Sequence, residues 1–214
     1  MSNEVNNFAL IEEIWHAVTH GIGFTLSIAA LVLLVTFAVM HGHGALHITS
    51  AAIYGSSLMV LYGSSTLYHA LTHNKAKHLF QIFDHASIYI LIAGSYTPIA
   101  LLTIGGTTGW VLFGLEWGIA VIGIALKFIY VGRFELLSLI AYLVMGWLIV
   151  LDFSTFKAHI DPIGFWLIVA GGLAYSSGVY FYIKDSITHF HTIWHLFVML
   201  GSILHFFAIL LYVV

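Results

Sequence analysis

Long apolar stretches alternate with short polar segments along almost the whole chain. Most of these stretches reach the roughly 20 residues that an α-helix needs to cross the hydrocarbon core of a bilayer. The strands of a membrane barrel would instead alternate apolar and polar residues over about ten positions. The pattern predicts an all-α integral membrane protein with seven transmembrane helices, at about 17–40, 46–70, 80–103, 109–131, 135–153, 161–183 and 190–213.

The polar segments between the predicted helices are short, and they contain five of the six lysine and arginine residues. The chain has only two prolines and no low-complexity tract that could serve as a linker. A boundary between domains would normally lie in such a linker. We therefore expect a single seven-span membrane domain over residues 1–214, folded as one helical bundle.

The distribution of positive charge predicts how the bundle is oriented in the membrane. With seven spans, the amino terminus lies on the same side as the connections that follow spans 2, 4 and 6, and these contain Lys75, Lys77, Arg133 and Lys184. The opposite side has Lys157 alone. Because short cytoplasmic loops are enriched in Lys and Arg, the amino terminus is predicted to be cytoplasmic and the carboxyl terminus outside.

Composition narrows the chemistry that this bundle could perform. Hydrophobic residues make up 61% of the chain and charged residues 7%, against roughly 25% charged residues in a soluble domain. The net charge of −3 leaves no basic patch for phosphates, so we expect no nucleic-acid partner. Cysteine is absent, so a metal would need nitrogen and oxygen ligands, and the 14 histidines are the main candidates.

The last predicted span has a polar stripe in an otherwise apolar sequence. At about 100° per residue, His191, His195, Ser202 and His205 share one face of the helix. Exposing this face to lipid would be costly, so it should face the bundle interior or a water-filled cavity. His191 and His195 are four residues apart, a spacing that suits two ligands of one metal ion.

Two further ionisable groups are predicted to lie at the same membrane depth. His69 is near the end of the second span and Asp84 is near the start of the third, so both lie close to the cytoplasmic face, as do His191 and His195. Each residue alone could cap a helix end or meet lipid headgroups. Because four such groups share one layer, we expect a site, and Ser65, one turn before His69, could hydrogen-bond into it.

Three imidazoles and one carboxylate suit Zn²⁺, although iron, manganese and copper accept the same ligand types. Zinc lowers the pKa of its bound water to about 7, and the carboxylate of Asp84 could be either a fourth ligand or the general base. His16 and His20 of the first span, with Glu13 nearby, are reserve ligands or hydrogen-bond partners of the ligands. His85 is about 100° from Asp84 on a helix, so we expect it to face elsewhere.

Four segments resemble the bacterial hemolysin III branch of the progestin and adipoQ receptor family: EEIWHAVTHGIG, SSTLYH, FDHASIYILIAGSYTP and HTIWHLFVMLGSILHF. This resemblance covers nearly the whole chain. It implies seven spans and a zinc site on the cytoplasmic side, with His69, His191 and His195 as the ligands. It also implies that Asp84 lies near the metal-bound water and Ser65 beside it, and that the protein lies in a bacterial inner (plasma) membrane.

The related ceramidase superfamily implies an activity, hydrolysis of an amide or ester bond in a membrane lipid. Asp84 would then accept and return a proton, and Ser65 would help to stabilise the oxyanion. The expected partners are membrane lipids and a lipid-like substrate or ligand.

Other functions remain open at this point. A non-enzymatic membrane sensor or homeostasis factor would use zinc as a closed structural site. A cytolytic or pore-forming protein should be able to stay soluble before insertion, which the apolar composition disfavours. A transporter would use charged groups at several depths, for which His205 and Glu116 are candidates.

Overall fold

The computed structural model describes residues 2–42, 44–130 and 132–214, with side chains from residue 10 onwards. The described residues are almost entirely helical and include no strand. Seven helical segments are long and apolar enough to cross a membrane: Leu10–His41, Ala45–Ala70, Asn74–Ile104, Gly106–Tyr130, Glu135–His159, Pro162–Ile183 and Phe190–Tyr212, named spans 1 to 7 below. The predicted seven-helix architecture is confirmed. The predicted end of span 4, at residue 131, lies outside the described residues.

Spans 1 and 3 begin earlier than the apolar pattern indicated. The first helix is Ser2–His41 and the third is Asn74–Pro98, so helical turns precede the predicted starts at residues 17 and 80. These turns contain polar residues, which interrupt the apolar pattern without ending the backbone hydrogen bonding of the helix. Two functional candidates of span 1, Glu13 and His16, lie on these turns.

Spans 3 and 5 contain irregular segments, and Tyr96 of span 3 contacts the one in span 5. Span 3 continues past Pro98 as a π-helix, Ile99–Ile104. Span 5 consists of the helix Glu135–Gly146, a 3₁₀ segment, Leu148–Asp152, and the helix Phe153–His159. The Tyr96 hydroxyl donates to the carbonyl of Gly146 at 2.9 Å and accepts from the amide of Ile149 at 3.0 Å. One tyrosine therefore satisfies two backbone groups at the break in span 5.

The spans pack mainly with their neighbours in sequence. Span 1 lies along span 2, span 2 along span 3, and span 6 along span 7, while span 7 also contacts span 1. Gly171 illustrates the close approach of spans 6 and 7, because a Cβ atom there would clash with the imidazole of His205. The contact between spans 1 and 7 brings the first and last parts of the membrane domain together.

The polarity of the bundle is distributed as expected for a protein in lipid. Large apolar side chains such as Val121, Ile122 and Trp166 lie exposed on the outer surface, where acyl chains would cover them. Polar and charged side chains, including His20, Ser65 and His195, are buried inside. The polar stripe predicted for the last span faces the interior.

Candidate metal centre

Five imidazoles from three spans converge at the end of the bundle that is predicted to be cytoplasmic. His16 and His20 lie in the first turns of span 1, and His69 is the second-last residue of span 2. His191 and His195 lie in the first turns of span 7. All are buried except His191, which is partly exposed. The fold therefore brings histidines from both ends of the chain into one cluster.

Three of these histidines lie close enough together that they could hold one metal ion. His16, His69 and His191 each offer one ring nitrogen, and these nitrogens lie within 4.8 Å of one another. His195, a predicted ligand, does not belong to this group of three, although its ring centroid lies 5.4 Å from that of His16, 5.2 Å from His69 and 4.8 Å from His191. The cluster is compact enough for several imidazoles to bind one ion.

The outer nitrogen of His69, meaning the ring nitrogen that would not bind the metal, is hydrogen-bonded to a carboxylate. His69 Nδ1 lies 3.0 Å from Glu13 Oε2, which also accepts from Lys77 Nζ at 2.9 Å. With a proton on Nδ1, His69 presents the lone pair of Nε2, a buried atom with no hydrogen-bond partner among the described residues. A carboxylate that orients the imidazole in this way is typical of metal-binding histidines.

His195 is oriented by Thr19 of span 1. The Thr19 hydroxyl lies 2.8 Å from the carbonyl of Trp15 and 3.0 Å from that of His16, so its single proton is directed to its own helix. The hydroxyl oxygen can then accept a hydrogen bond from His195 Nδ1, 3.1 Å away. In that tautomer Nε2 of His195 is the unprotonated nitrogen, the one suited to a metal.

His20 has a different role in the cluster. Its ring stacks on that of His195, with a centroid distance of 3.5 Å and an interplanar angle of 12°. Its Nδ1 forms a 2.7 Å hydrogen bond with the hydroxyl of Ser65. His20 therefore supports His195 from one side and connects it to span 2.

A cavity of about 380 Å³ adjoins the histidine cluster. Its lining includes the five histidines and further polar residues, among them Ser65, Gln81, Asp84, His85, Glu135 and Asp185. Glu135 accepts from the buried Lys127 Nζ at 2.8 Å, and its other oxygen lies 3.6 Å from His85 Nδ1. The cavity thus combines potential metal ligands with carboxylates that could move protons.

Sequence comparison identifies the family. The family model described as Haemolysin-III related matches residues 8–206, which include every member of the cluster. The chain belongs to the haemolysin III family. "Hemolysin-3 homolog" of Bacillus subtilis (strain 168) is 47% identical over 207 residues, 97% of each chain. "Hemolysin-3" of Bacillus cereus is 44% identical over 202 residues, 94% of this chain and 92% of that protein.

The similarity extends to animal proteins. "Monocyte to macrophage differentiation factor" of Homo sapiens is 32% identical over 166 residues, which cover 75% of this chain and 68% of that protein. The assignment from sequence motifs to the hemolysin III branch of the progestin and adipoQ receptor family is confirmed. The protein is a multi-pass membrane protein, as members of this family are expected to be.

In this haemolysin III protein the five predicted site residues line one cavity. His69, His191 and His195 contribute imidazoles to it, and Ser65 and Asp84 lie in the same lining. Their roles as ligands and catalytic groups stay predictions. The hydroxyl of Ser65 is hydrogen-bonded to His20, which agrees with the expectation that Ser65 bonds into the site.

Sequence reasoning missed part of the site. His16, treated as a reserve ligand, belongs to the group of three whose nitrogens fit one ion. The expectation that His85 faces elsewhere is wrong, because both His85 and Asp84 line the cavity. The cavity is wide enough to include side chains that diverge by about 100° on the helix. The spacing of four between His16 and His20 was the signal for span 1.

Proposed function

We propose that the protein is a zinc-dependent hydrolase that cleaves an amide or ester bond of a membrane lipid. One observation carries this proposal: the imidazole cluster opens on a polar cavity that adjoins an apolar pocket inside the bundle. A substrate with a polar head and a hydrocarbon chain suits that arrangement. The family's expected location, the inner membrane of a bacterium, would supply such lipids.

The donor set fits zinc. Imidazole nitrogen is a common zinc ligand, and the outer nitrogens of His69 and His195 are held by Glu13 and Thr19. His69, His191 and His195 would hold the ion. When bound, zinc would supply a Lewis acid that polarises a carbonyl and activates water at neutral pH.

The two adjoining cavities support a lipid substrate. The apolar pocket has a volume of about 100 Å³ and shares Leu61, Ile88, Trp194 and Val198 with the polar cavity. It extends inside the bundle as far as His205. The scissile bond of an amphiphile could then lie at the histidines while its chain contacts apolar side chains.

Asp84 and Ser65 are the residues proposed to act on the substrate. The Asp84 carboxylate would accept a proton from the water that attacks the carbonyl and would return it to the leaving group. The Ser65 hydroxyl can accept from His20 Nδ1 and hydrogen-bond to Asp84, and its proton would turn from that carboxylate to a developing oxyanion. Both side chains line the cavity that contains the imidazoles.

The test compares His191→Ala with a control that removes an imidazole elsewhere. His159 is exposed near the end of span 5, and its Nδ1 bonds to the Thr155 carbonyl of its own helix. The purified proteins, in lipid nanodiscs, would be analysed for zinc and for fatty acid released from lipid amides and esters. We expect His191→Ala to lose about 10³-fold in turnover, because the metal supplies several kcal/mol of stabilisation. Equal turnover by both variants would exclude the hydrolase.

A second candidate is a membrane sensor or homeostasis factor in which zinc has only a structural role. The observation that favours it is the presence of a fourth imidazole, His16, beside the other ligands, because structural zinc sites have four protein ligands. In that case chelation would lower the thermal stability of the wild-type protein, and no lipid product would form at any zinc concentration.

A further inference from the structure

Four imidazoles of the cluster are arranged as the corners of a tetrahedron. The six centroid distances among His16, His69, His191 and His195 range from 4.7 to 5.4 Å. A zinc–nitrogen bond of about 2.0–2.1 Å, plus about 1 Å from nitrogen to ring centre, implies tetrahedral ring separations of about 5 Å. The ring of His16 fits this spacing as well as the three rings that the family resemblance implies.

The hydrogen bonding of His16 also favours a role as a metal ligand. Both are buried, and neither has a hydrogen-bond partner among the described residues. The carboxylate of Glu12, 3.6 Å from Nε2, is beyond hydrogen-bond distance. A buried polar group without a partner costs about 1–3 kcal/mol, and coordination of one nitrogen would remove that cost.

The neighbouring histidine of span 1, His20, shares these features only in part, because only its Nε2 is buried without a hydrogen-bond partner among the described residues. His20 stacks flat on His195, and its Nδ1 is already bonded to Ser65. The ring of His16 is instead tilted by 53° to 69° from the other three rings of the tetrahedron. Rings that surround one ion point inward from different directions, whereas stacked rings lie side by side.

We propose that His16 is a fourth ligand of the metal, an assignment that rests on the zinc centre proposed above. The resting centre is then closed by four histidines from spans 1, 2 and 7. Hydrolysis requires one ligand to leave, because a catalytic zinc site needs an open position. His16 is suited to leave, since outer hydrogen bonds hold His69 and His195 whereas the outer nitrogen of His16 has none among the described residues.

The experiment counts the imidazoles around the metal without measuring turnover. X-ray absorption of the zinc-loaded protein, and visible absorption of its Co²⁺ form, would be compared among wild type, His16→Ala and His20→Phe. We expect four imidazoles in the wild type and in His20→Phe, where phenylalanine preserves the stacking. We expect three imidazoles and a solvent ligand in His16→Ala, with metal affinity weakened by at least the roughly 10–100-fold that loss of an outer hydrogen-bond partner of a ligand costs. Added free imidazole should restore the Co²⁺ spectrum of His16→Ala.

Three outcomes distinguish the possible failures. An unchanged imidazole count in His16→Ala, with zinc still bound, would overturn the role of His16 and leave the zinc centre standing. A lower count in His20→Phe alone would assign the fourth position to His20. A wild-type protein that binds no zinc would remove the proposed centre itself. If His16→Ala does not fold, as judged by gel filtration and helicity, His16→Gln takes its place because glutamine retains most of the volume.

Discussion

At the scale of single residues, the hydrogen bonds around the histidines decide which nitrogens can bind a metal. Thr19 donates within its own helix and so can only accept from His195. Glu13 acts in the same way on His69. Both residues belong to span 1, so this helix prepares ligands that are supplied by spans 2 and 7. Such outer contacts set the orientation and basicity of ligands and are a large part of metal affinity.

Replacing Thr19 by valine tests whether its hydroxyl orients His195 for metal binding. Valine keeps the shape of the side chain but cannot accept from His195 Nδ1, so we expect zinc affinity to fall by about 10–100-fold while the helical content is retained. Competition with a chromophoric chelator measures the affinity. Thr25→Val is the control, because Thr25 also bonds to a carbonyl of its own helix but is exposed. Equal affinities for the two variants would show that Thr19 does not orient the ligand.

At the scale of helices, the apolar pattern predicted seven spans correctly because crossing a bilayer requires a long apolar stretch. It did not find the polar first turns of spans 1 and 3, since a hydropathy pattern cannot distinguish a helical turn facing a cavity from a loop. Glu13 and His16 lie on such a turn. The π-helix after Pro98 was also missed, because it leaves no mark on the apolar pattern.

The sequence predicted the membrane depth of the site residues, but not which way the side chains of span 1 point. The position of His69, His191 and His195 near one end of their spans follows from the topology and the loop lengths. Which histidines of span 1 point at the same centre depends on the rotation of that helix about its axis. That rotation is set by packing against spans 2 and 7, and one sequence does not contain this information.

Span 4 has two buried ionisable residues, of which one has a hydrogen-bond partner and the other has none among the described residues. This difference is testable. Lys127 is 2% exposed and donates to Glu135 of span 5. Glu116 is completely buried, and neither of its oxygens has a partner among the described residues. Glu116→Met should therefore raise the free energy of unfolding or leave it unchanged, whereas Glu135→Met should lower it by about 1–3 kcal/mol by leaving Lys127 unpaired.

Thermal unfolding of both variants in the same detergent measures the difference. A clear loss of stability in Glu116→Met would contradict the expectation. It would mean that the carboxylate has a partner or ligand in the membrane that stabilises the folded protein. A Glu135→Met variant as stable as the wild type would show that Lys127 reaches the interfacial water.

At the scale of the whole molecule, the proposed metal would connect the first, second and last spans, while spans 4 and 5 contribute no imidazole to the cluster. Spans 1 and 7 have fewer contacts with each other than either has with its sequence neighbour. A ligand that binds only the folded state stabilises it by about 4 kcal/mol at a thousand times its dissociation constant. The metal should therefore strengthen the contact between spans 1 and 7 most.

Hydrogen exchange measured with and without zinc checks this expectation. We expect zinc to slow exchange in the first turns of spans 1 and 7 and at the end of span 2, and to leave spans 4 and 5 unchanged. A double variant, His69→Ala with His195→Ala, should show no response to zinc. Uniform protection of all seven spans would instead indicate that the ion acts on the bundle as a whole.

The hydrogen bond between Thr19 and His195 joins residues 176 positions apart in the chain. During synthesis the first helix enters the bilayer long before the last one leaves the ribosome, so the outer contact of His195 cannot form until translation is nearly finished. A nascent or truncated polypeptide that lacks its final helix would leave the imidazoles of spans 1 and 2 incomplete. Retention of the ion would then mark a chain whose insertion is complete.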